Sequence, residues 1–194
     1  SENTIAVHVV NQQPSSRWYS GSGIYRDVKL SVTDKVHVAK YGTTITSPKL
    51  EEQKNGAVDT LVKSRIVNQD DQAHSIYAEY EIVDQNGQVV SEKVRSEVQS
   101  VLAGQEINLS HTLHVEKPTL WDVKTNNPAL YTLYTRVYRD SQLVDVQKES
   151  FGYRYLNWTP EGGFFLNGVA TKFHGVSLHH DHGALGAEEN YKAE

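Results

Sequence analysis

Cysteine does not occur among the 194 residues, which excludes disulfides, thiolate zinc sites, iron–sulfur clusters and cysteine nucleophiles. The absence leaves the compartment open, because a chain without thiols folds equally well in oxidising and reducing surroundings. Methionine is missing too. A natural reading frame begins with Met, whereas this chain begins Ser1-Glu2-Asn3-Thr4, so an excised or processed segment of a longer protein is expected. The opening residues carry neither the basic start nor the apolar stretch of a secretory signal. No apolar run approaches the roughly 20 residues that cross a bilayer, and no membrane partner is expected. A net charge of -5 with both signs mixed along the chain argues against nucleic acid or anionic lipid as partners. At 38% hydrophobic and 22% charged residues, the composition also excludes a disordered tail and a collagen-like repeat.

What the chain does contain is strand pattern. Val58, Thr60, Val62 and Ile66 share one parity while Asp59, Lys63 and Arg65 share the other, the signature of a half-buried strand. Ile76, Ala78, Tyr80 and Ile82 alternate in the same way against Glu79 and Glu81. Asp84-Gln85-Asn86-Gly87-Gln88 follows, and Asn-Gly between alternating runs predicts a hairpin. The return strand, residues 89–101, carries Glu92, Lys93, Arg95 and Glu97, as an edge strand should. Ile107, Leu109, Leu113 and Val115 mark the next strand, and residues 131–139 and 143–151 form two more around a polar turn at Asp140-Ser141-Gln142.

No helix is predicted between residues 36 and 155, because Tyr, Val, Thr and Ile fill the candidate elements and suit a pleated surface. About seven strands in about 115 residues, with turn signals every 8–12, is the arithmetic of an all-β, immunoglobulin-like or fibronectin-like sandwich. The flanks read differently. Residues 5–10 and 24–32 look like strands of another β domain, and residues 1–33 are too few to enclose a core alone. At the other end, Gly162 to Gly168 reads as a strand closing on Asn167-Gly168, with residues 171–177 as the returning strand.

Three stretches carry a resemblance to glycoside hydrolase family 2, in particular its β-galactosidase-like members. RWYSGSGIYRDVKL (17–30) resembles the last strands of the family's jelly-roll sugar-binding domain. LWDVKTNNPALYTLYTRV (120–137) resembles the late Trp…Asn-Pro…Leu-Tyr passage of its immunoglobulin-like domain. FGYRYL (151–156) followed by GGFFLNGVATKFHGVSLHHDHGALG (162–186) resembles the passage into its catalytic (β/α)8 barrel. The resemblance implies three parts: residues 1–33 as the end of the jelly roll, 34–155 as the sandwich, and 156–194 as the truncated start of the barrel.

Leu178-His179-His180-Asp181-His182 is the most chemical-looking passage. Histidine beside carboxylate suggests a divalent metal, but in an extended segment only alternate residues share a face and no third ligand follows at useful spacing. No metal site is expected. Family members commonly read Gly-Val-Asn-Arg-His-Glu-Asp-His here, so the resemblance implies that His179 contacts the sugar; Asp181 and His182 also match. Ser177 and Leu178 stand where many relatives have Asn-Arg, and His180 where many have Glu; the cation lost at Leu178 means that charge-based details of the family's pocket do not carry over to this chain.

Glycoside hydrolysis with retention needs two carboxylates about 5–5.5 Å apart. The family supplies them as Glu residues from later barrel strands, and nothing in this chain resembles its Asn-Glu pairs; Glu188-Glu189 reads as first-turn acids of a helix. No catalytic residue is therefore expected here. The aromatics Trp18, Tyr19 and Tyr25 read as packing between domains rather than a sugar platform, and Trp121, Tyr131 and Tyr134 as sandwich core or sheet-end packing. No Gly-x-Ser-x-Gly elbow is present. Asn108-Leu109-Ser110 and Asn157-Trp158-Thr159 fit the glycosylation sequon, as chance triplets also do.

The leading expectation is a non-catalytic middle segment of a retaining exo-β-glycosidase, its sandwich positioning the sugar-binding domain against the barrel. The alternatives are a free-standing carbohydrate-binding or adhesion module and a small metallohydrolase. The resemblance implies a carbohydrate substrate and the remaining domains as partners, with a homo-oligomer and a divalent cation as candidates for the longer protein. No cofactor is expected in this segment.

Overall fold

The computed structural model describes residues 3–12, 23–24, 26–124 and 128–176. The chain divides into two compact units, Ser1–Ser31 with Phe173–Glu194, and Val32–Lys172. Every regular element among the described residues lies in the second unit: β1 (Val36–Thr46), α1 (Leu50–Gln53), β2 (Ala57–Asn68), β3 (His74–Val83), β4 (Val94–Arg95), β5 (Gln99–Val101), β6 (Glu106–Glu116), β7 (Tyr131–Arg139), β8 (Gln142–Phe151), β9 (Leu156–Thr159), β10 (Gly163–Leu166) and β11 (Val169–Ala170).

Two antiparallel sheets form a β-sandwich. One has the order β1-β2-β6 and the other β4-β3-β7-β8, with β5 also on β3. The alternation read in the sequence explains the layering. Val58, Val62 and Ile66 of β2 and Leu109 and Leu113 of β6 face Ile76, Tyr80, Ile82, Leu133 and Val137 of the other sheet in one continuous core. Full burial of each such side chain is worth roughly 1.5–3 kcal/mol.

The chain enters and leaves the sandwich at opposite ends. Val36 pairs with Asn68, and the loop after Asn68 leads to the start of β3, whose Ile76 pairs with Arg139 beside the β7–β8 turn. This is the inlet end. Phe151 pairs with Tyr131 at the other, outlet end. Ten residues of β8 at about 3.3 Å each separate the two.

The structure corrects several details. Residues 89–101 do not form one strand. Val83 bridges Val89, and after that only β4 and β5 pair with β3. Between these rungs the hydroxyl of Ser91 accepts the Ile82 N–H at 2.9 Å. That of Ser96 accepts the Ala78 N–H at 3.0 Å. Both side chains are buried and stand in for missing ladder carbonyls. A one-turn helix, α1, occupies the β1–β2 connection and buries Leu50; four residues are too few to reveal a helical period. Tyr134 lies on the outer face, its ring 5.2 Å from both Arg136 and Lys148 cations, while the inward positions of β7 are Tyr131, Leu133, Thr135 and Val137.

The expected strands at residues 5–10, 24–32 and 171–177 are not found in the described residues 5–10, 24, 26–32 and 171–176, which have no regular structure. Ile5 and Leu30 are each 90% exposed. Alternation alone does not make a strand; a ladder with a neighbouring strand does, and none of the strands formed among the described residues includes these stretches. The hairpin across Asn167-Gly168 does form, but its return strand is β11, with Phe165 opposite Ala170 and Leu166 opposite Val169. With β9 it makes a third sheet of order β11-β10-β9.

Candidate functional site

Polar chemistry concentrates at the inlet end. His74, the first residue of β3, places Nδ1 2.7 Å from Asp140 Oδ2 and Nε2 3.0 Å from Asp70 Oδ2. Lys35 Nζ donates to the other oxygen of Asp70 at 2.8 Å. The Ser75 amide donates to the other oxygen of Asp140 at 3.0 Å. Arg139 donates to Asp34 at 2.7 Å. Hydrogen bonds from Lys35 and His74 hold the Asp70 carboxyl well below the usual carboxylate range. Bonds from Ser75 and His74 lower Asp140. The same two carboxylates raise His74 above its ordinary value. Asn68 supports the cluster by donating to the carbonyls of Gln72, Val101 and Leu102.

The outlet end is built from rings and amides. Tyr153 is 1% exposed and packs edge-on against Tyr131 and Phe151, at centroid distances of 4.9 and 5.2 Å. Its hydroxyl pairs with Thr60 Oγ1 at 2.7 Å, and burial pushes the phenol pKa upward. The Tyr131 hydroxyl accepts the Thr119 N–H at 2.9 Å, a bond in the manner of the tyrosine corner of sandwich folds. Gly152 lies against Trp121 so closely that a Cβ there would come within 2.9 Å of the Trp121 Cβ.

Asn167 ties this end to the third sheet. Its Nδ2 donates to the Trp121 carbonyl at 2.9 Å, its Oδ1 accepts the Tyr155 N–H at 3.1 Å, and its backbone N–H donates to the Tyr155 carbonyl at 2.9 Å. The turn holds Asn167 at φ 52° and Gly168 at φ 78°, a left-handed pair that Asn-Gly adopts readily. Lys124 adds a bond to the Ala170 carbonyl at 2.8 Å.

A cleft of about 530 Å³ opens at the outlet end, lined by Ile45, Leu50, Leu130, Phe151, Tyr153 and Arg154 among others, with no carboxylate or imidazole in its lining. Its wall mixes apolar side chains with the hydroxyls of Thr46, Ser47 and Ser150 and the Arg154 guanidinium, and it does not present the carboxylate pair that retaining glycoside hydrolysis uses. Among the described residues no cluster of three or more His, Asp or Glu could hold a metal.

His179, the expected sugar contact, lies outside the described residues, as do His180, Asp181, His182, Glu188, Glu189, Trp18, Tyr19 and Tyr25. Trp121 and Tyr131 do meet at the outlet end, through Gly152 and Tyr153. Sequence reasoning missed the His74 cluster, whose members come from the approach to β1, the β2–β3 loop, the start of β3 and the β7–β8 turn. It marked Asn167-Gly168 as a turn but not the Asn167 side chain as a tie.

The chain is similar to known proteins. A family profile described as Glycosyl hydrolases family 2 matches residues 27–154. The beta-galactosidase BoGH2A of Bacteroides ovatus is 41% identical over 192 residues, 98% of this chain and 22% of that protein. A beta-glucuronidase of Bacteroides fragilis is 29% identical over 164 residues, 84% of this chain and 23% of that protein. The crystal structure of a glycosyl hydrolase family 2 member from Bacteroides cellulosilyticus superposes with a TM-score of 0.81 at 31% identity, covering 94% of this chain and 24% of that one. The chain thus spans less than a quarter of the length of these relatives.

Proposed function

The chain belongs to glycosyl hydrolases family 2, and from that premise we propose that it is the non-catalytic middle segment of a retaining exo-β-glycosidase acting on terminal β-linked sugars. The observation that carries this reading is the match of 98% of the chain to 22% of a beta-galactosidase. The sandwich is then a spacer. The chain enters the sandwich at Val36 and leaves it past Phe151 at the opposite end, so its two points of attachment lie about one strand length apart. The residues of the outlet end fix the direction in which the chain departs, through Asn167, Trp121 and Tyr155.

In this reading residues 1–33 belong to a sugar-binding jelly roll and residues 156–194 to the start of a barrel, whose later strands supply the two carboxylates. His179 contacts the sugar, and a divalent cation and a homo-oligomer belong to the longer protein. Both β-galactoside and β-glucuronide remain candidate substrates, in keeping with the names of the relatives.

The test is an assay with nitrophenyl β-galactoside, β-glucuronide and β-mannoside. The 194-residue chain should give no turnover above the buffer blank. A protein extended along its coding sequence should hydrolyse one of them, and His179→Ala should reduce that rate. Turnover by the repurified 194-residue chain would refute the non-catalytic assignment.

A further inference from the structure

We propose that His74 is an imidazolium clasp that closes the inlet end of the sandwich, and that loss of its proton lets that end open. The geometry requires the charged ring. A neutral imidazole has one N–H, yet both ring nitrogens face carboxylate oxygens, at 2.7 Å from Asp140 and 3.0 Å from Asp70. In either neutral tautomer a nitrogen lone pair would oppose a carboxylate oxygen. Neither carboxylate is positioned by His74 alone. The second oxygen of Asp70 accepts from Lys35 and from the Asp71 N–H. The second oxygen of Asp140 accepts from Ser75.

The ring therefore joins three segments: the β2–β3 loop through Asp70, β3 through itself, and the β7–β8 turn through Asp140. Lys35, on the approach to β1, is added through Asp70. The charged groups around the ring come from all of these. Asp70, Asp71 and Asp140 favour the imidazolium, and Lys35 and Arg139 oppose it. Arg139 is in turn engaged by Asp34 at 2.7 Å. The His74 side chain is 12% exposed and that of Asp70 17%, whereas Asp140 is 54% exposed, so the clasp sits at the edge of the solvent.

The raised pKa of His74 sets the direction. A folded value above the unfolded one of about 6.5 means that the contribution is complete below pH 6.5. It is lost as pH rises through the folded value, by about tenfold in the opening equilibrium for each pH unit inside that window.

The test is a pH titration of the 194-residue chain by NMR of the imidazole nitrogens, the His74 signal being assigned with His74→Gln. The expected result is a doubly protonated ring at pH 6.5 and a titration midpoint above it. Hydrogen-exchange protection of the Ser75 and Asp140 amides should fall as pH rises through that midpoint, while the β2–β6 ladder keeps its protection. In His74→Gln the alkaline fall should disappear. A neutral single-tautomer ring at pH 6.5, a midpoint at or below 6.5, or an unchanged alkaline fall in His74→Gln would each overturn the proposal.

Discussion

The two ends of the sandwich are closed by different physics. At the inlet, charges from Lys35, Asp70, His74 and Asp140 meet over a partly wet surface. At the outlet, Tyr131, Phe151 and Tyr153 pack their rings, and the amide of Asn167 ties the third sheet to Trp121 and Tyr155. An ionic closure depends on the protonation of its members and weakens with salt. A packed closure depends on volume and is indifferent to both. The inlet should thus respond to solution conditions and the ring cluster of the outlet to substitution, although the Asp59–His114 contact near Thr60, at 2.9 Å, gives the outlet a titratable pair of its own.

The largest effect that would sharpen this contrast is at the outlet. Tyr153→Ala removes a buried ring from between two others and should lower stability by about 3–5 kcal/mol, measured by urea unfolding, with the same loss at pH 5 and pH 8. Gly152→Ala sets a Cβ 2.9 Å from the Trp121 Cβ and should cost about 1–3 kcal/mol of overpacking. Gly56→Ala, whose nearest neighbour would be 4.0 Å away, serves as its control. Thr60→Val leaves the buried Tyr153 hydroxyl without its partner, at about 1–3 kcal/mol; adding Tyr153→Phe should recover most of that loss. Failure to recover it would show that the pair is held by packing rather than by the hydroxyl contact.

On the acid side, opposite to the alkaline opening through His74, the inlet should show the titration of its carboxylates. Asp70 and Asp140 have folded pKa values below 3.8, so their stabilisation is present above that value and is lost as pH falls through the folded values. Asp70→Asn should therefore flatten the stability loss between pH 5 and pH 2. A wild-type and variant that lose stability in parallel would put the acid-sensitive closure elsewhere. The smallest effect belongs to the exposed pair Arg65–Glu106, at 3.0 Å. Glu106→Gln should change stability by less than about 1 kcal/mol.

The sandwich was legible because its signals are local and periodic. Val58 to Ile66 and Ile76 to Ile82 alternate, and each apolar partner ends in the core. Asn86-Gly87 and Asn167-Gly168 mark their turns by a chemistry that needs no distant partner. The flanks at residues 5–10 and 24–32 alternate as well, yet pairing is a property of two segments and one segment cannot announce it. The inlet cluster was illegible for a related reason: Lys35, Asp70, His74 and Asp140 are separated in the chain and meet only once the strands are registered. His179, the expected sugar contact, rests on the family resemblance alone and lies outside the described residues.

The broken outer strand of the larger sheet has a consequence for how the protein behaves in a crowded solution. A continuous edge offers a neighbour a long row of donors and acceptors onto which it can zip. Here Ser91 and Ser96 turn the outer backbone away from the ladder after every few residues, and their hydroxyls satisfy the inner strand from within. An incoming chain would meet two rungs at β4 and three residues at β5, each too short to seed a growing sheet. Two buried serines thus keep this edge from forming one continuous ladder without placing a proline or a charge in the core.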